Sequence, residues 1–322
     1  MKKNEKIQRK VGIVPVKIIF LLLMMLHFLP SILYGQQSPM YSQYMFNMLT
    51  VNPAYAGHRA VNNINVLYRN QWVGFEGSPQ TTSISWDKRQ EKSNVGYGIQ
   101  MYNDRLGIEN TTGLQALYSY RLALENSIFT FGLSGGFLNF KARYDETTPL
   151  DPGDPAFAIA ESAWLPTVGF GVLFSKESWY LGFSIPALLK TKTFYNDPTR
   201  TENAPGANHH YFLTGGYIFV VSDVVKFKPS VLFKAVSGFP TQVDLNMNVW
   251  LRNTIGLGMS YRTADALVGM AEFQITPQIR IGYAYDYTLT VLNRFNQGTH
   301  ELMLRYEFDT SKVLDILSPR YY

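Results

Sequence analysis

Alternation of apolar and polar residues with a period of two is the feature that most constrains the fold of this chain. One face of residues 242–253 is apolar and the other is polar. The apolar face carries Val243, Leu245, Met247, Val249 and Leu251, and the polar face carries Asp244, Asn246, Asn248 and Arg252. Trp250 is the exception on the polar face. Segments of about 10 residues with this pattern are typical of transmembrane β-barrel strands, because one face meets lipid and the other a polar lumen.

The same alternation recurs along most of the chain. Residues 281–287 place Ile281 and three tyrosines on one face, and residues 302–308 repeat the pattern. Marking strands in this way gives segments near 61–71, 80–88, 94–105, 111–124, 127–143, 165–176, 178–189, 209–222, 225–238, 242–253, 254–263, 266–276, 278–289 and 299–309. The sequence therefore predicts an all-β protein, a transmembrane antiparallel β-barrel of about 14 strands with an irregular N-terminal plug or rim segment.

The lengths of the connections support a barrel. Connections after the even-numbered strands are brief, as at 125–126, whereas those after odd-numbered strands include 144–164, 190–208 and 290–298. Outer-membrane barrels have short periplasmic turns and longer external loops. The connection at 263–265 is an exception, because it should be external but is short.

A soluble β-sandwich is the main alternative fold, because its strands also alternate. Sandwich strands are usually shorter, about 5 to 6 residues. A barrel also explains the polar face, where Asp244, Asp286, Arg305 and Glu307 would otherwise have to enter a dry core. We expect these four side chains to line a wet lumen.

The N-terminal residues predict export. Residues 1–17 are rich in lysine and arginine, and an apolar run from Ile18 to Leu29 follows, interrupted only by His27. This order is typical of a secretory signal peptide, and we expect cleavage after Gly35. The run is shorter than the roughly 20 apolar residues of a transmembrane helix.

Charge and cysteine content exclude several classes of function. The chain has 29 Lys plus Arg and 24 Asp plus Glu, and removal of residues 1–35 leaves 23 of each. No basic patch for nucleic acid remains, and the lack of cysteine excludes disulfides and an N-terminal lipid-modified cysteine.

We expect a plug or rim segment at 36–60, the barrel at 61–309 and a periplasmic C-terminal tail at 310–322.

Residues suited to catalysis or metal binding are scarce after the predicted leader. His58, His209, His210 and His300 form no two-histidine motif with helical metal spacing, and no Gly-Xaa-Ser-Xaa-Gly motif is present. The carboxylates of Asp151-Pro-Gly-Asp154 could hold calcium, but Asp, Pro and Gly together are first a turn signal. The sequence therefore predicts no enzyme and no cofactor, and it leaves calcium open.

Residues 38–57 follow neither a strand nor a helix period. Because they precede the first strand, we expect them to begin on the periplasmic side. An irregular segment cannot face lipid, since its backbone groups would lack partners. We expect it either to fold inward and seal the lumen, with Asn52-Pro53 turning the chain toward Arg59, or to cap the rim against residues 318–322.

Several groups of residues resemble the signature of a known family. Near the N-terminus they are Ser42-Gln43-Tyr44-Met45-Phe46, Val51-Asn52-Pro53-Ala54-Tyr55-Ala56-Gly57, and Tyr68-Arg69-Asn70-Gln71-Trp72-Val73-Gly74-Phe75 with Gly77-Ser78-Pro79. At the other end they are His300-Glu301-Leu302-Met303-Leu304-Arg305-Tyr306-Glu307-Phe308 and Ser318-Pro319-Arg320-Tyr321-Tyr322. Together they resemble the PorP/SprF family of outer-membrane proteins associated with the type IX secretion system of Bacteroidetes. Met48-Leu49-Thr50 departs from the pattern.

The resemblance implies a non-enzymatic role in the bacterial outer membrane. Members of the family support secretion, surface attachment of large adhesins, or gliding motility. The resemblance implies a secreted adhesin-type partner with a C-terminal targeting domain, contact with the lipid bilayer, and no nucleic acid. A related interpretation links the barrel to a periplasmic peptidoglycan-binding lipoprotein of the secretion machinery.

A transport function is the alternative from another class. The strand number and the Asn-Pro-Ala element also resemble FadL-like outer-membrane channels for hydrophobic small molecules, in which an N-terminal hatch plugs the lumen. A ligand passage should have a convergent apolar lining, whereas the predicted lumen face is largely polar. A general porin is less compatible with the segment before the first strand.

Overall fold

The computed structural model describes residues 40–59, 61–90, 93–146, 160–189, 192–194, 201–203, 209–236 and 239–308. The predicted leader at 1–35, the tail at 310–322 and the Asp151–Asp154 segment lie outside these residues. No helix among the described residues is long and apolar enough to cross a bilayer.

Seventeen strands form within the described part of the chain. They are β1 Asn62–Asn70, β2 Gln80–Arg89, β3 Val95–Leu106, β4 Glu109–Leu124, β5 Ser127–Ala142, β6 Glu161–Ser175, β7 Trp179–Ile185, β8 Lys192–Phe194, β9 Thr201–Asn203, β10 His210–Tyr217, β11 Phe219–Val220, β12 Val225–Val236, β13 Gln242–Leu251, β14 Ile255–Arg262, β15 Ala266–Gln274, β16 Ile279–Thr288 and β17 Thr299–Phe308.

Fourteen of these strands close into an antiparallel barrel. Each pairs with its neighbours along the chain, β1 closes on β17 with Asn62 opposite Phe308, and β7 and β12 flank β10. The short strand β11 follows β10 and pairs with β12, while β8 and β9 form a separate two-stranded sheet. The predicted all-β barrel is confirmed, and each predicted segment overlaps one barrel strand.

The two ends of the barrel differ in their connections. At one end, here called the short-turn end, the connections span residues 90–94, 125–126, 176–178, 221–224, 252–254 and 275–278. At the other, called the long-loop end, they span residues 71–79, 107–108, 143–160, 186–209, 237–241, 263–265 and 289–298. The exception predicted at 263–265 is present, and 107–108 is a second short connection at that end.

The alternation seen in β13 corresponds to the two faces of the barrel wall. Leu245 and Met247 are 54% and 55% exposed on the outer face, whereas Asp244 and Asn248 are buried on the lumen face. Trp250 also faces the lumen and is buried there. The apolar side chain of Trp250 on this polar face has an apolar partner inside the lumen, the ring of Phe46.

The expectation of a wet lumen around four charged residues is wrong. Asp244, Asp286, Arg305 and Glu307 are only 2–6% exposed. They are covered because the N-terminal segment occupies the lumen. The polar face of the wall therefore serves as a binding surface for part of the same chain.

Candidate functional site: the plugged lumen

Residues 40–59, here called the plug, lie inside the barrel. All of them except Met40 and Thr50 are buried. The plug contacts the lumen faces of β1–β7 on one side and of β13, β14, β16 and β17 on the other. Of the two placements expected from the sequence, the structure shows the one within the lumen.

Short 3-10 turns satisfy the backbone of the plug locally. They cover Tyr44–Phe46, Met48–Thr50 and Pro53–Tyr55. The side chain of Asn52 accepts a hydrogen bond from Ala54 N at 2.9 Å, and Pro53 occupies the first position of its turn. Such turns let an irregular segment enter a barrel without leaving buried backbone groups unpaired.

The first half of the plug is fixed by a buried ion-pair cluster near the long-loop end. Arg69 of β1 lies 2.9 Å from both Asp286 and Glu301. Ser42 Oγ donates to Asp286 at 2.7 Å and accepts from Arg69 at 2.9 Å. The backbone N–H groups of Ser42 and Gln43 each donate to the Glu301 carboxylate at 2.8 Å. One arginine and two carboxylates therefore hold a serine and two backbone amides of the plug.

Arg262 of β14 extends this cluster to β13 and to the connection before β15. Its guanidinium lies 3.2 Å from Asp244, 3.3 Å from Asp265 and 3.6 Å from Asp286, and it donates to Ser42 Oγ at 3.4 Å. Charges removed from water are tolerated when they are paired and hydrogen-bonded. Ser42 adds hydrogen bonds to this network of wall ion pairs, because its hydroxyl binds Arg69, Asp286 and Arg262.

The middle of the plug packs against β13. Asn246 donates to the Tyr44 hydroxyl at 2.6 Å, and Asn248 donates to the sulfur of Met45 at 3.0 Å. Phe46 meets Trp250 edge to face, with ring centroids 6.3 Å apart. This contact explains why β13 carries a tryptophan on its otherwise polar face.

The second ion-pair cluster lies toward the short-turn end. The carbonyl oxygen of Phe46 accepts hydrogen bonds from Arg59 at 3.1 Å and from Arg305 of β17. Arg59 also pairs with Glu307 at 2.8 Å, and Arg305 lies 3.6 Å from Glu272. Two arginines therefore converge on a single plug carbonyl, and each has a carboxylate partner on the wall.

The opposite wall holds the second half of the plug through neutral groups. Asn52 donates to the carbonyl of Val172 on β6 at 3.0 Å. Ser184 of β7 donates to the carbonyl of Val51 at 2.8 Å, and Ser119 of β4 donates to that of Ala56 at 2.7 Å. Serines on the lumen face thus pair with plug carbonyls that no 3-10 turn satisfies.

The last plug residues reach the ends of β2 and β4. Gly57 N donates to Asp87 at 2.9 Å, and Arg89 donates to the carbonyl of His58 at 2.7 Å. His58 is buried, and its ring lies edge to face with that of Tyr55, with ring centroids 5.4 Å apart.

The direction of the plug differs from the expectation. Along β17, Glu301 near the long-loop end binds Ser42, Arg305 binds Phe46, and Glu307 near the short-turn end binds Arg59. The segment therefore begins near the long-loop end and descends to the short-turn end before β1 starts. Its position before β1 fixes only where it finishes. The segment therefore does not begin at the barrel end where β1 starts, which the sequence analysis took as the periplasmic end.

Glycines on the wall make room for the plug backbone. A Cβ on Gly132 of β5 would overlap the backbone of Ala54, and one on Gly96 of β3 would overlap the carbonyl of Ala56. A Cβ on Gly135, which lies on the outer face of β5, would meet nothing within 4 Å. The two glycines of β5 therefore form a matched pair that differs in contact with the plug.

We predict that Gly132→Val lowers the free energy of unfolding by about 1–3 kcal/mol, because overpacking displaces the plug. Thermal unfolding of the detergent-solubilised barrel, followed by circular dichroism, measures this change. Gly135→Val is the matched control and should unfold within about 0.5 kcal/mol of the wild type, as surface substitutions usually do. Equal effects of the two variants would contradict the close contact with Ala54.

Residues 71–79, which belong to the sequence signature, form the connection between β1 and β2. Val73 N donates to Gly298 O at 2.8 Å, and Gln297 N donates to Val73 O at 2.7 Å, which ties this connection to the one before β17. Trp72 and Gly74 have φ values of 51° and 91°. A cavity of about 250 Å³ borders the connection, lined by Phe75, Gly77, Ser78, Gln80, Arg105 and Gly107.

The residues singled out in the sequence therefore lie in two places. One set is in the plug or binds it: Ser42, Gln43, Tyr44, Phe46, Asn52, Pro53, Ala54, Tyr55, Gly57, Arg69 and Arg305. Another set is in the long-loop connection: Gln71, Trp72, Gly74, Phe75 and Pro79. Pro319, Arg320 and Tyr321 lie outside the described residues.

Several plug-binding residues were not identified as site residues from the sequence. On the wall they are Arg262, Asp286, Glu301 and Glu307, with Asp244 acting through Arg262, and in the plug itself Arg59 pairs with Glu307. The available signal was a charged residue at a lumen-facing position of a predicted strand. A charged residue at such a position indicates that its side chain faces the lumen. It does not indicate the residue that it pairs with, because that residue lies far away in the sequence.

Comparison with known proteins identifies the family. A sequence profile of the type IX secretion system membrane protein PorP/SprF matches residues 33–306. The chain belongs to the PorP/SprF family. No curated protein is significantly similar in sequence.

Two solved outer-membrane proteins are partly similar in structure to this PorP/SprF member. The Ralstonia pickettii toluene transporter TbuX is 8% identical, with a TM-score of 0.49, over 85% of this chain and 95% of that chain. The Acinetobacter baumannii outer membrane protein Omp33 is 8% identical, with a TM-score of 0.45, over 77% of this chain and 99% of that chain.

Proposed function

We propose that this PorP/SprF protein is a closed outer-membrane barrel of the type IX secretion machinery that supports secretion or surface anchoring of a large adhesin-type protein. The partner would carry a C-terminal targeting domain, which the barrel receives after translocation. The observation that carries this proposal is the plugged lumen. Because buried ion pairs hold the plug to the wall, the working surfaces are the ends of the barrel.

The composition of the lumen favours docking over transport. A channel for hydrophobic molecules needs an apolar passage, whereas Arg69, Asp286 and Glu301 form a charged and occupied constriction. Passage of any solute would require these ion pairs to separate from the plug. We therefore do not propose a FadL-like channel.

The long-loop end offers a surface for such a partner. The β1–β2 connection and the connection before β17 are hydrogen-bonded to each other and form one unit. This unit exposes large apolar side chains, with Phe75 at 46%, Val291 at 79% and Phe295 at 64% exposed. Exposed apolar residues that lie close together on a protein surface are suited to protein contact. We assign the docking of the secreted partner to this face.

Deletion of the gene tests the proposal directly. Cells without the barrel should make the adhesin but lose it from the surface, as measured by antibody labelling of intact cells. Complementation with the wild type should restore labelling, whereas Phe75→Ser combined with Phe295→Ser should restore it only partly. Asn126→Ser, at the short-turn end, is the control and should restore it fully. An unchanged amount of adhesin on the surface of the deletion strain would contradict the proposal.

Two further measurements separate the remaining alternatives. Pull-down from detergent extracts distinguishes the secreted adhesin from a periplasmic peptidoglycan-binding lipoprotein as the main partner. Uptake of a radiolabelled fatty acid by vesicles containing the barrel tests transport. We expect no uptake above empty vesicles, and clear uptake would favour a channel instead.

A further inference from the structure

The cavity beside the β1–β2 connection lies between two turns of the long-loop end that are joined by their backbones. Gly107 N, in the turn between β3 and β4, donates to Gly77 O at 2.8 Å. Within the connection, Ser78 N donates to Phe75 O at 3.2 Å. The walls of the cavity are therefore held in place by hydrogen bonds between described residues.

Glycine at two positions keeps this space open. Gly77 and Gly107 have φ values of 72° and 56°, in the left-handed region that favours glycine. A Cβ on Gly77 would lie 3.4 Å from the Cα of Gly107, whereas a Cβ on Gly107 would meet nothing within 4 Å. The cavity has a volume of about 250 Å³, and a water molecule takes about 30 Å³ of the liquid. The space therefore suits a group of the size of one amino-acid residue.

Among the described residues that line the cavity, Arg105 alone is charged. It is exposed on the outer face of β3, and its neighbours across the strands are the neutral Gln80 on β2 and Asn110 on β4. No hydrogen bond or ion pair joins its guanidinium to the part of the chain that the structure describes. Asp104 lies on the other face of β3 and accepts a hydrogen bond from Thr81 Oγ at 2.6 Å. The donors of Arg105 are therefore available to an anionic ligand.

The rest of the lining indicates which kind of anion fits. Phe75 supplies an aromatic ring that is 46% exposed. One guanidinium can bind one carboxylate through two parallel hydrogen bonds. A phosphate group carries more charge and three acceptor oxygens, and the described lining holds no second cation for it. The cavity therefore favours a carboxylate that is attached to an apolar or aromatic group.

We propose that this cavity binds a carboxylate of a polypeptide partner, with the carboxylate on Arg105 and an adjoining aromatic or aliphatic side chain on Phe75. The cavity lies at the long-loop end, beside the connection to which docking of the secreted protein is assigned. The identity of the partner rests on the proposed function, whereas the chemistry of the site rests on the cavity itself. The carboxylate belongs either to a side chain or to the end of the partner chain.

Binding of small probes to the purified barrel in detergent, measured by saturation-transfer NMR, tests the site. The probe is N-acetylphenylalanine, which joins a carboxylate to an aromatic ring. Its matched control is N-acetylphenylalanine amide, which has the same ring and no charge. We expect the acid to bind about tenfold more tightly than the amide, because the amide loses a hydrogen-bonded charge pair.

Two variants locate the binding. Arg105→Gln should abolish the difference between acid and amide. Lys141→Gln is the matched control, because Lys141 is also an exposed cation on the outer face but lies two strands away on β5, outside the cavity lining. This control should keep the tenfold difference. The mobility of each variant on gels without heating establishes that the barrel is folded.

Equal binding of acid and amide to the wild type would overturn the proposal, as would an unchanged difference in Arg105→Gln. Displacement of the acid by inorganic phosphate at the same concentration would also overturn it, because the site would then prefer a phosphate, such as that of a lipid head group.

A second probe, N-acetylglutamylphenylalanine amide, distinguishes the two sources of the carboxylate, because it carries this group on a side chain. Tighter binding than that of N-acetylphenylalanine supports a side-chain carboxylate, and weaker binding supports the end of a chain.

The probe measurements and the deletion test of the proposed function fail separately. Loss of surface adhesin from the deletion strain, without selective binding of the acid probe, would overturn the cavity site and leave the proposed function standing. Selective binding of the acid probe, with unchanged surface adhesin in the deletion strain, would support the carboxylate site and contradict its assignment to the secreted adhesin.

Discussion

Arg69→Met is expected to lower the free energy of unfolding of the barrel by about 3–5 kcal/mol. Removing one partner of a buried ion pair leaves uncompensated charge in a dry environment, which costs about this much. Arg69 is 3% exposed, and its loss would leave Asp286 and Glu301 without their shared cation. Denaturant unfolding of the purified barrel in detergent, followed by tryptophan fluorescence, measures the change.

Arg143→Met is the matched control for this prediction. Arg143 pairs with Glu146 at 2.6 Å, but both side chains are about half exposed. Exposed pairs contribute about 0–1 kcal/mol, so the same substitution there should have a small effect. A loss of less than about 1 kcal/mol in Arg69→Met would show that the buried cluster does not stabilise the plugged state.

Replacing residues 40–57 with an equal length of glycine and serine is expected to open the barrel to ions. The replacement removes the side chains that bind β2, β6, β13 and β16. The polar lumen face would then take up water, as it does in barrels that form channels. Planar-bilayer recordings should show stepwise conductance for the replaced barrel and none for the wild type.

Folding of the replaced barrel has to be established in the same samples. Resistance of the barrel to unfolding by detergent without heating, seen as a mobility difference on gels, provides this check. A folded replacement without conductance would contradict the assignment of residues 40–57 as the seal. Conductance in the wild type would contradict it as well, because the seal would then be incomplete.

The sequence was informative about the barrel wall because each strand carries its own signal. A residue at a given position must face either lipid or lumen, so a period of two identifies strands one at a time without knowledge of their neighbours. The limits of β13 at Gln242 and Leu251 lie within two residues of those predicted. The sequence alone also distinguished longer connections, such as 71–79 and 289–298, from the short turns.

The plug was less predictable because its conformation depends on the wall around it. The sequence showed that residues 38–57 could face neither lipid nor a regular sheet, but it left a lumen position and a rim position open. The choice follows from contacts such as Ser42 with Glu301, which are 259 residues apart in the chain. No local pattern encodes a contact of that separation.

The sequence by itself thus determined the barrel, its polar and apolar faces, and the residues that mark the PorP/SprF family. Only the tertiary structure decided that the charged lumen residues are buried in ion pairs, that the plug fills the lumen, and that it descends from the long-loop end. The physical reason is that alternation is imposed on each strand by its two surroundings, whereas ion pairing requires closure of the barrel around the plug. Arg69 illustrates both points. Its lumen-facing position follows from the alternation in β1, whereas its partners belong to β16, β17 and the plug.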